Sequence, residues 1–424
     1  MTVAGFVADT SFSVKRGFFT TPQSIAITCA TAGATIRYTL DNSTPTDTNG
    51  IVYSAPLTVS ATTVLRARAF LTGLLASNVD TQTYVFVSDV PNQVYASAPA
   101  GWPAPGATQL NGQTVRYGFN ATLKAQYTTQ QLLDALNQVP SLSLVTDQSN
   151  LTDQVTGIYS NADQKGDAWE RAASAEYLPP DNSAGFHINC GLRIRGGASR
   201  GDYAPKHSFR LYFRNTYGDG SLKFPLHGLS GTDTFQTIDI RSEENYSWAN
   251  DTGTENTQVR EVFCRDLAGA MSQPQTRSRY LHLYLNGQYW GLYMTEERSQ
   301  EDYGATYFGG SANDYDGIQT SNHPNFTYEL GSGLVDAWQQ TWNLARACAA
   351  SPTNVNYFAL LGRDANGVRV PAMPVYIDPD HLANYLLLHY YTGDGTLLAE
   401  WQDSVPLESA PDGRRFLRLQ LTGN

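Results

Sequence analysis

Long hydrophobic runs are missing from this sequence; none approaches the ~18 apolar residues that span a bilayer, so no membrane-crossing segment is expected. Positive charge is also short. With 28 Lys and Arg against 39 Asp and Glu, the net charge is −11, and no wide basic field exists to meet a phosphate backbone, which argues against a nucleic-acid partner. Cysteine is scarce: Cys29, Cys190, Cys264 and Cys348 stand singly, without the CxxC spacing that lets thiolates share zinc, and whether any two pair is left open. The seven His include no HExxH and no close pair, and no GxSxG occurs, so zinc-hydrolase and serine-hydrolase readings lack their spacing. The opening MTVAGFVADTSF has no basic stretch followed by an apolar one; a signal peptide is therefore expected to be trimmed or to lie upstream.

What is present describes a globular protein. Hydrophobic residues at 41% and aromatics at 12% are enough for a real core, and 424 residues exceed what one core holds, so two domains are expected. Twenty-five Tyr, abundant Thr, Asn and Gly, and only 16% charged residues fit an exported bacterial or wall-associated protein, secreted or on the cell surface.

From Ser24 to Val87 short β-rich runs alternate with turn clusters: SIAITCA, TIRYTL, IVYSAPLTVS, TTVLRARAF and TQTYVFV. Such spacing predicts a small antiparallel sandwich. Asp41, Asn42, Ser43, Thr44 and Pro45 after IRYTL predict a hairpin loop. The run IRYTLDNSTPT, the Y-x-x-P-L at Tyr53–Leu57 and TTVLRARAF together resemble the Ig-like module at the C-terminus of chitobiase and β-hexosaminidase. That resemblance implies a spacer or a weak polysaccharide or cell-wall contact, not a hydrolase.

The module is assigned to residues 1–88, and the Pro-, Gly- and Ala-rich stretch 89–122 is read as a linker whose aromatic residues can still dock. Residues 123–424 form the second domain. It opens with a helical stripe in TTQQLLDALNQV (Thr128–Val139), followed by the strand SLSLVTD. Strands GLRIRGG, HSFRLYF and TIDIRS follow, then a helix from about Glu255 to Met271, then the hairpin LHLYLNGQYWGLYM turning at Asn286-Gly287. Two more helices are expected at Asp336–Ala350 and Asp378–His389. The fold class is thus multidomain: an all-β sandwich, then an α+β domain with an antiparallel sheet.

The segment Gly191–Phe213, GLRIRGGASRGDYAPKHSFRLYF, carries the chemistry. Gly196 and Gly197 permit close approach of a backbone to an anion, Arg193 and Arg195 share one face of a strand, and Lys206 leads into the next strand. A phosphate fits between such groups; the alternative is a solvated strand face paired with nearby Asp and Glu. Arg193-Ile194-Arg195-Gly196, Ser199 and Pro205-Lys206-His207-Ser208-Phe209-Arg210 resemble the R-x-R-G turn, Ser and P-K-x-x-(F/Y)-R strand of the CotH family of spore-coat-type atypical protein kinases. The block VREVFCRDLAGAM, the LYLNGQYWGLY hairpin and Glu297-Arg298 resemble the same family in the same order.

The resemblance implies an atypical-kinase-like fold and an exported enzyme that transfers phosphate from ATP to protein Ser/Thr with Mg or Mn. Lys206, Arg193, Arg195 and Ser199 would hold the nucleotide phosphates, Glu297 would lie near the nucleotide, and Asp394 falls near the catalytic-loop acid. By analogy with ordinary kinases, Glu261 is a candidate helix carboxylate for Lys206. No Asn pair follows Asp394, and the chain stops where the family's Trp-Asp metal site is expected, so the second domain is read as C-terminally incomplete. A non-catalytic envelope or carbohydrate-associated scaffold is therefore the competing reading. The protein substrate is not legible.

Overall fold

The computed structural model describes residues 5–94, 98–107, 110–114, 116–204, 206–228, 230–242, 258–320, 328–351 and 353–392. They divide into two compact units: residues up to Val259 with Arg277–Arg298, and Arg260–Thr276 with the residues from Ser299 onward.

The first unit begins with nine strands: β1 (Thr10–Phe12), β2 (Gly17–Phe19), β3 (Gln23–Ile25), β4 (Ile27–Cys29), β5 (Thr35–Thr39), β6 (Ile51–Val52), β7 (Leu57–Val59), β8 (Thr63–Phe70) and β9 (Asp80–Phe86). A five-stranded sheet runs β2-β9-β8-β5-β6, and the ladders β1-β4 and β3-β7 pair separately. Phe12, Ile25, Ile27, Tyr38, Val59, Leu65, Tyr84 and Phe86, drawn from all three, share one core. The turn after β5 is an Asx turn, with Ser43 N–H donating to Asp41 Oδ1 at 3.0 Å, as the polar run DNST predicts.

A single turn α1 (Ala121–Lys124) and helix α2 (Thr129–Leu136) follow. Thr128 caps α2 reciprocally: Gln131 N–H donates to its hydroxyl at 3.2 Å and its own N–H donates to Gln131 Oε1 at 2.9 Å. Then come β10 (Ser141–Val145), the short helix α3 (Gln148–Thr152), β11 (Arg171–Leu178), β12 (His187–Arg195), β13 (Ser208–Tyr212), the small β14 (Leu222–Lys223) and β15 (Thr234–Phe235), and β16 (Thr237–Arg241). The unit closes with β17 (Ser278–Leu285) and β18 (Gln288–Glu296). Asn286 and Gly287 between them have φ of 52° and 77°, the paired positive values of a type I′ turn.

The antiparallel sheet expected here is closed into a seven-stranded barrel, β10-β11-β12-β13-β16-β18-β17. Six of its ladders are antiparallel; the parallel pairing of β10 with β17, Ser141 opposite His282 through Leu144 opposite Leu285, shuts the ring. Closure is not legible in the sequence because it joins strands far apart along the chain. Thr146 and Asn286, whose N–H and Oδ1 meet at 2.9 Å beside the seam, are separated by 140 positions.

Period-two alternation explains how the barrel meets the sandwich. On β11, Ala173, Ala175 and Tyr177 enter the barrel core, while Ser174, Glu176 and Leu178 face the other way. These outward residues are nevertheless buried, because β9 lies over them. Thr81 and Thr83 hydroxyls meet Ser174 Oγ and Ser143 Oγ, each at 2.8 Å, Thr83 N–H donates to Glu176 Oε1 at 3.1 Å, and Arg16 Nε lies 3.0 Å from that oxygen. An apolar patch of Val85, Val90, Leu136, Leu178, Tyr284 and Tyr289 continues the joint. Sandwich and barrel therefore keep cores of their own and meet through a buried joint.

The second unit contains α4 (Arg260–Ala270), α5 (Glu301–Phe308), the hairpin β19 (Gly317–Thr320) and β20 (Tyr328–Ser332), then α6 (Asp336–Ala350), α7 (Asn354–Leu360) and α8 (Pro379–Thr392). Asp378 caps α8 as expected, its Oδ1 accepting from Asp380 N–H at 2.9 Å and His381 N–H at 3.1 Å. The α4 expected from about Glu255 starts at Arg260; residues 255–257 lie outside the described residues. Among the described residues no helix is long and apolar enough to cross a membrane.

Candidate functional site

The R-x-R-G segment ends β12. Leu192 and Ile194 point into the barrel core, so Arg193 and Arg195 take the outer face. Arg193 Nε donates to Glu170 Oε2 at 2.8 Å, its guanidinium also pairs with Asp167, and it lies 4.3 Å over the Tyr212 ring. Arg195 Nε donates to Asp239 Oδ2 at 2.8 Å and its NH2 lies 3.6 Å from Glu296. Asp239, only 2% exposed, also receives Arg210 on both oxygens, and Glu296 meets Arg241 at 3.4 Å. Burial pushes the Asp239 carboxyl up, but the hydrogen bonds and charges of Arg210 and Arg195 outweigh it and hold it below the ordinary carboxylate value. Both arginines are thus matched by carboxylates, which they share with neighbouring arginines.

The glycine turn is built for closeness. Gly196 has φ of 119°, and a Cβ there would overlap Ser199 Oγ. Ser199 packs over the turn, and its carbonyl meets His207 Nδ1 at 2.9 Å. Arg200, 8% exposed, clamps the turn from inside: it donates to the carbonyls of Gly196 (2.6 Å), Ala162 (2.6 Å), Gln164 (2.8 Å) and Ile194. This buried arginine was not singled out by its sequence position, one residue past Ser199 in a stretch that reads as polar loop.

Lys206 is placed differently. Pro205 before it lies outside the described residues. Lys206 Nζ donates to the Arg116 carbonyl at 2.8 Å and sits 3.6 Å over the Trp290 ring, and among the described residues it has no carboxylate partner. Burial, and then the Arg116 charge, pull its ammonium down to about 7. Trp290 belongs to an aromatic cluster with Trp102 (4.8 Å), Tyr159 (5.6 Å, edge-on) and Tyr117 (6.0 Å). Trp290 Nε1 donates to Tyr159 OH at 2.9 Å, which in turn accepts His207 N–H at 3.3 Å. Trp102 and Tyr117 come from the Pro- and Gly-rich stretch, so its aromatics do dock, onto the end of the barrel that holds Lys206.

Glu297 is 3% exposed and accepts from Arg277, at 2.8 Å from its N–H and 3.3 Å from its guanidinium, an ion pair at the hairpin's base. Glu261 pairs with Arg265 one turn along α4 at 3.1 Å. Asp394 lies outside the described residues. The barrel brings Arg193, Arg195, Ser199 and Lys206 to one strand–turn–strand. All four cysteines are free, and among the described residues no cluster of His, Cys, Asp or Glu is fit for a metal ion.

The N-terminal strands thus form a module of the chitobiase type: residues 14–81 match the chitobiase/beta-hexosaminidase C-terminal domain. Beyond it, residues 192–393, just under half of the chain, match the CotH kinase protein family, which takes in the glycine turn, Lys206, the hairpin and Glu297. Both resemblances drawn from the residues are thereby borne out, in the expected order. No curated protein matches the chain.

Proposed function

We propose that this chain is an exported CotH-type atypical kinase, binding ATP with Mg or Mn for transfer to protein Ser/Thr, and that Lys206 is its nucleotide-phosphate lysine. The observation that carries this reading is the contrast between cations. Arg193 and Arg195 already have carboxylates, whereas Lys206, past the loop that follows the glycine turn of the matched segment, has none among the described residues. An uncompensated ammonium is what an incoming phosphate would neutralise. For ATP the fit is partial. Arg193 and Arg195 do not fit a phosphate without surrendering Glu170 and Asp239, and breaking such buried pairs costs several kcal/mol (~3 to 5). No step of phosphoryl transfer is assigned to the described residues, and Asp394 as its acid and Glu297 as a nucleotide neighbour remain part of the proposal alone.

A second reading, a non-catalytic scaffold at the cell envelope, draws on the Arg116 carbonyl and the Trp290 face that already occupy the Lys206 ammonium. Calorimetry with ATP and Mg²⁺ or Mn²⁺, on this chain and on Lys206→Ala, separates the two. Binding that disappears in the variant supports the kinase reading. Absence of binding in both leaves the scaffold.

A further inference from the structure

Lys206 does not stand alone as a cation at its end of the barrel. Its Nζ donates to the Arg116 carbonyl at 2.8 Å, and the Arg116 side chain, from the Pro- and Gly-rich stretch between the two matched segments, is exposed. The Arg116 charge acts on the ammonium, and among the described residues no carboxylate opposes it. Neither side chain makes an ion pair there, although the chain carries 39 acids against 28 bases and is not short of partners. Asp202, in the loop between Gly197 and Lys206, packs against Gly112, where a Cβ would come within 3.5 Å of its own, and pairs with neither cation. Arg193, Arg195, Arg210 and Arg214 all end on carboxylates.

The stretch is fastened so that Arg116 stays beside Lys206. Tyr117, fully buried, docks on Trp290 at 6.0 Å, and its OH donates to the Pro103 carbonyl at 2.8 Å. Upstream, Leu110 is buried and Asn111 Nδ2 donates to the Arg200 carbonyl at 2.7 Å. The stretch therefore touches the loop of the glycine turn at two points, Arg200 and Lys206. Arg200 adds positive charge from beneath, with its printed donors taken up by carbonyls. Holding like charges together in a half-buried place is unfavourable until an anion completes the set.

We propose that Arg116 is a second phosphate ligand of the Lys206 site, so that the segment before the barrel, and not the R-x-R-G arginines, supplies the guanidinium that grips the anion. This rests on the reading of Lys206 as a phosphate lysine and names its partner. The ligand class is a phosphate ester or polyphosphate that brings two negative charges to the contact, since a monoanion leaves one cation unmatched. Lys206 offers a point charge, and Arg116 a planar fork that takes two phosphate oxygens. Arg116 lies outside both matched segments, 14–81 and 192–393, so this ligand is a property of how the present chain joins them.

The test is calorimetry of the full chain with ATP and Mg²⁺ and, separately, with inorganic tripolyphosphate and Mg²⁺, on wild type, Arg116→Gln, Arg116→Lys and Lys206→Ala. Arg116→Gln is expected to weaken both ligands about tenfold, the size of one charge-assisted hydrogen bond. Its melting temperature stays at the wild-type value because the side chain is exposed. Arg116→Lys, which keeps the charge, recovers most of the affinity, and added salt weakens wild-type binding more steeply than binding by Arg116→Gln. Wild-type affinity in Arg116→Gln, with binding lost in Lys206→Ala, overturns the assignment and leaves the lysine reading standing. A loss confined to ATP also overturns it, because that would put Arg116 on the nucleoside. A wild-type chain that takes neither ligand removes the lysine reading, and the assignment with it.

Discussion

On β12 the guanidinium groups of Arg193 and Arg195 end on carboxylates, whereas a few residues later the ammonium of Lys206 ends on a backbone carbonyl and an indole face. The two places belong to one strand–turn–strand, carry the same sign of charge and come from one matched segment. What separates them is the neighbouring chain. Acids arrive beside the arginines from β16, β18 and the segment before β11; beside the lysine arrive Trp102, Tyr117 and Trp290. A cation with a bidentate acid is a structural element that resists exchange, while one held by a carbonyl and a ring keeps its charge available to a stronger anion.

The comparison breaks most forcefully at Asp239. Replacing it by Ala strands Arg195 and Arg210 beside a buried gap, and the chain is expected to lose about 3 to 5 kcal/mol in denaturant unfolding at neutral pH. Because its folded pKa is depressed, the contribution of Asp239 is complete above the ordinary carboxylate value of 3.8 and disappears as pH falls through the lower folded value. A variant that unfolds at the wild-type midpoint would show the arginine face to be mere surface decoration. On the aromatic side, Trp290→Phe removes the hydrogen bond to Tyr159 and the better cation–π face while keeping a ring, and a loss of about 1 to 2 kcal/mol is expected by the same measurement.

Glu176 extends the comparison to a carboxylate with less help. It is fully buried at the sandwich–barrel joint; burial lifts it, Arg16 and Thr83 oppose, and it settles at about 7. Here the sign is opposite to Asp239: the folded state holds a proton that the unfolded chain releases above 4.5, so stability falls as pH rises from about 4.5 to about 7. Glu176→Gln mimics the protonated form and is expected to flatten that slope in thermal unfolding followed across the window. A slope equal to wild type would place the titrating group elsewhere.

Local signals in the sequence were sufficient for local structure. Asn286-Gly287, the Thr128–Gln131 box and the Asp378 cap are satisfied within a few residues, so the chain text specifies them completely. The spacing of Arg193 and Arg195 announced a cationic face, but their acids lie 23 and 44 residues away at Glu170 and Asp239, and no pattern in a single sequence pairs them. Ser174 and Glu176 face outward from β11, a strand absent from those the sequence predicts, and that a second module covers them is a tertiary fact. The Pro- and Gly-rich stretch hid Trp102 and Tyr117 for the same reason, since composition registers the lack of periodicity and not the cavity that two rings fill.

The smallest effect is the most informative about Lys206. Its lowered pKa means that the unfolded chain binds the extra proton between about 7 and 10.5, so wild-type stability rises with pH across that window. Lys206→Met keeps the aliphatic contact with Trp290, removes the charge, and is expected to erase the rise with no loss of stability at neutral pH, where it relieves the cost of burying the charge. A loss near that of Asp239→Ala would mean that the ammonium is bound into the fold as firmly as the arginines are, and would remove the contrast on which its role as a phosphate ligand rests. If the variant is instead stable but no longer binds ATP and Mg²⁺, structural and ligand roles come apart at this one residue, as the different company kept by the two kinds of cation requires.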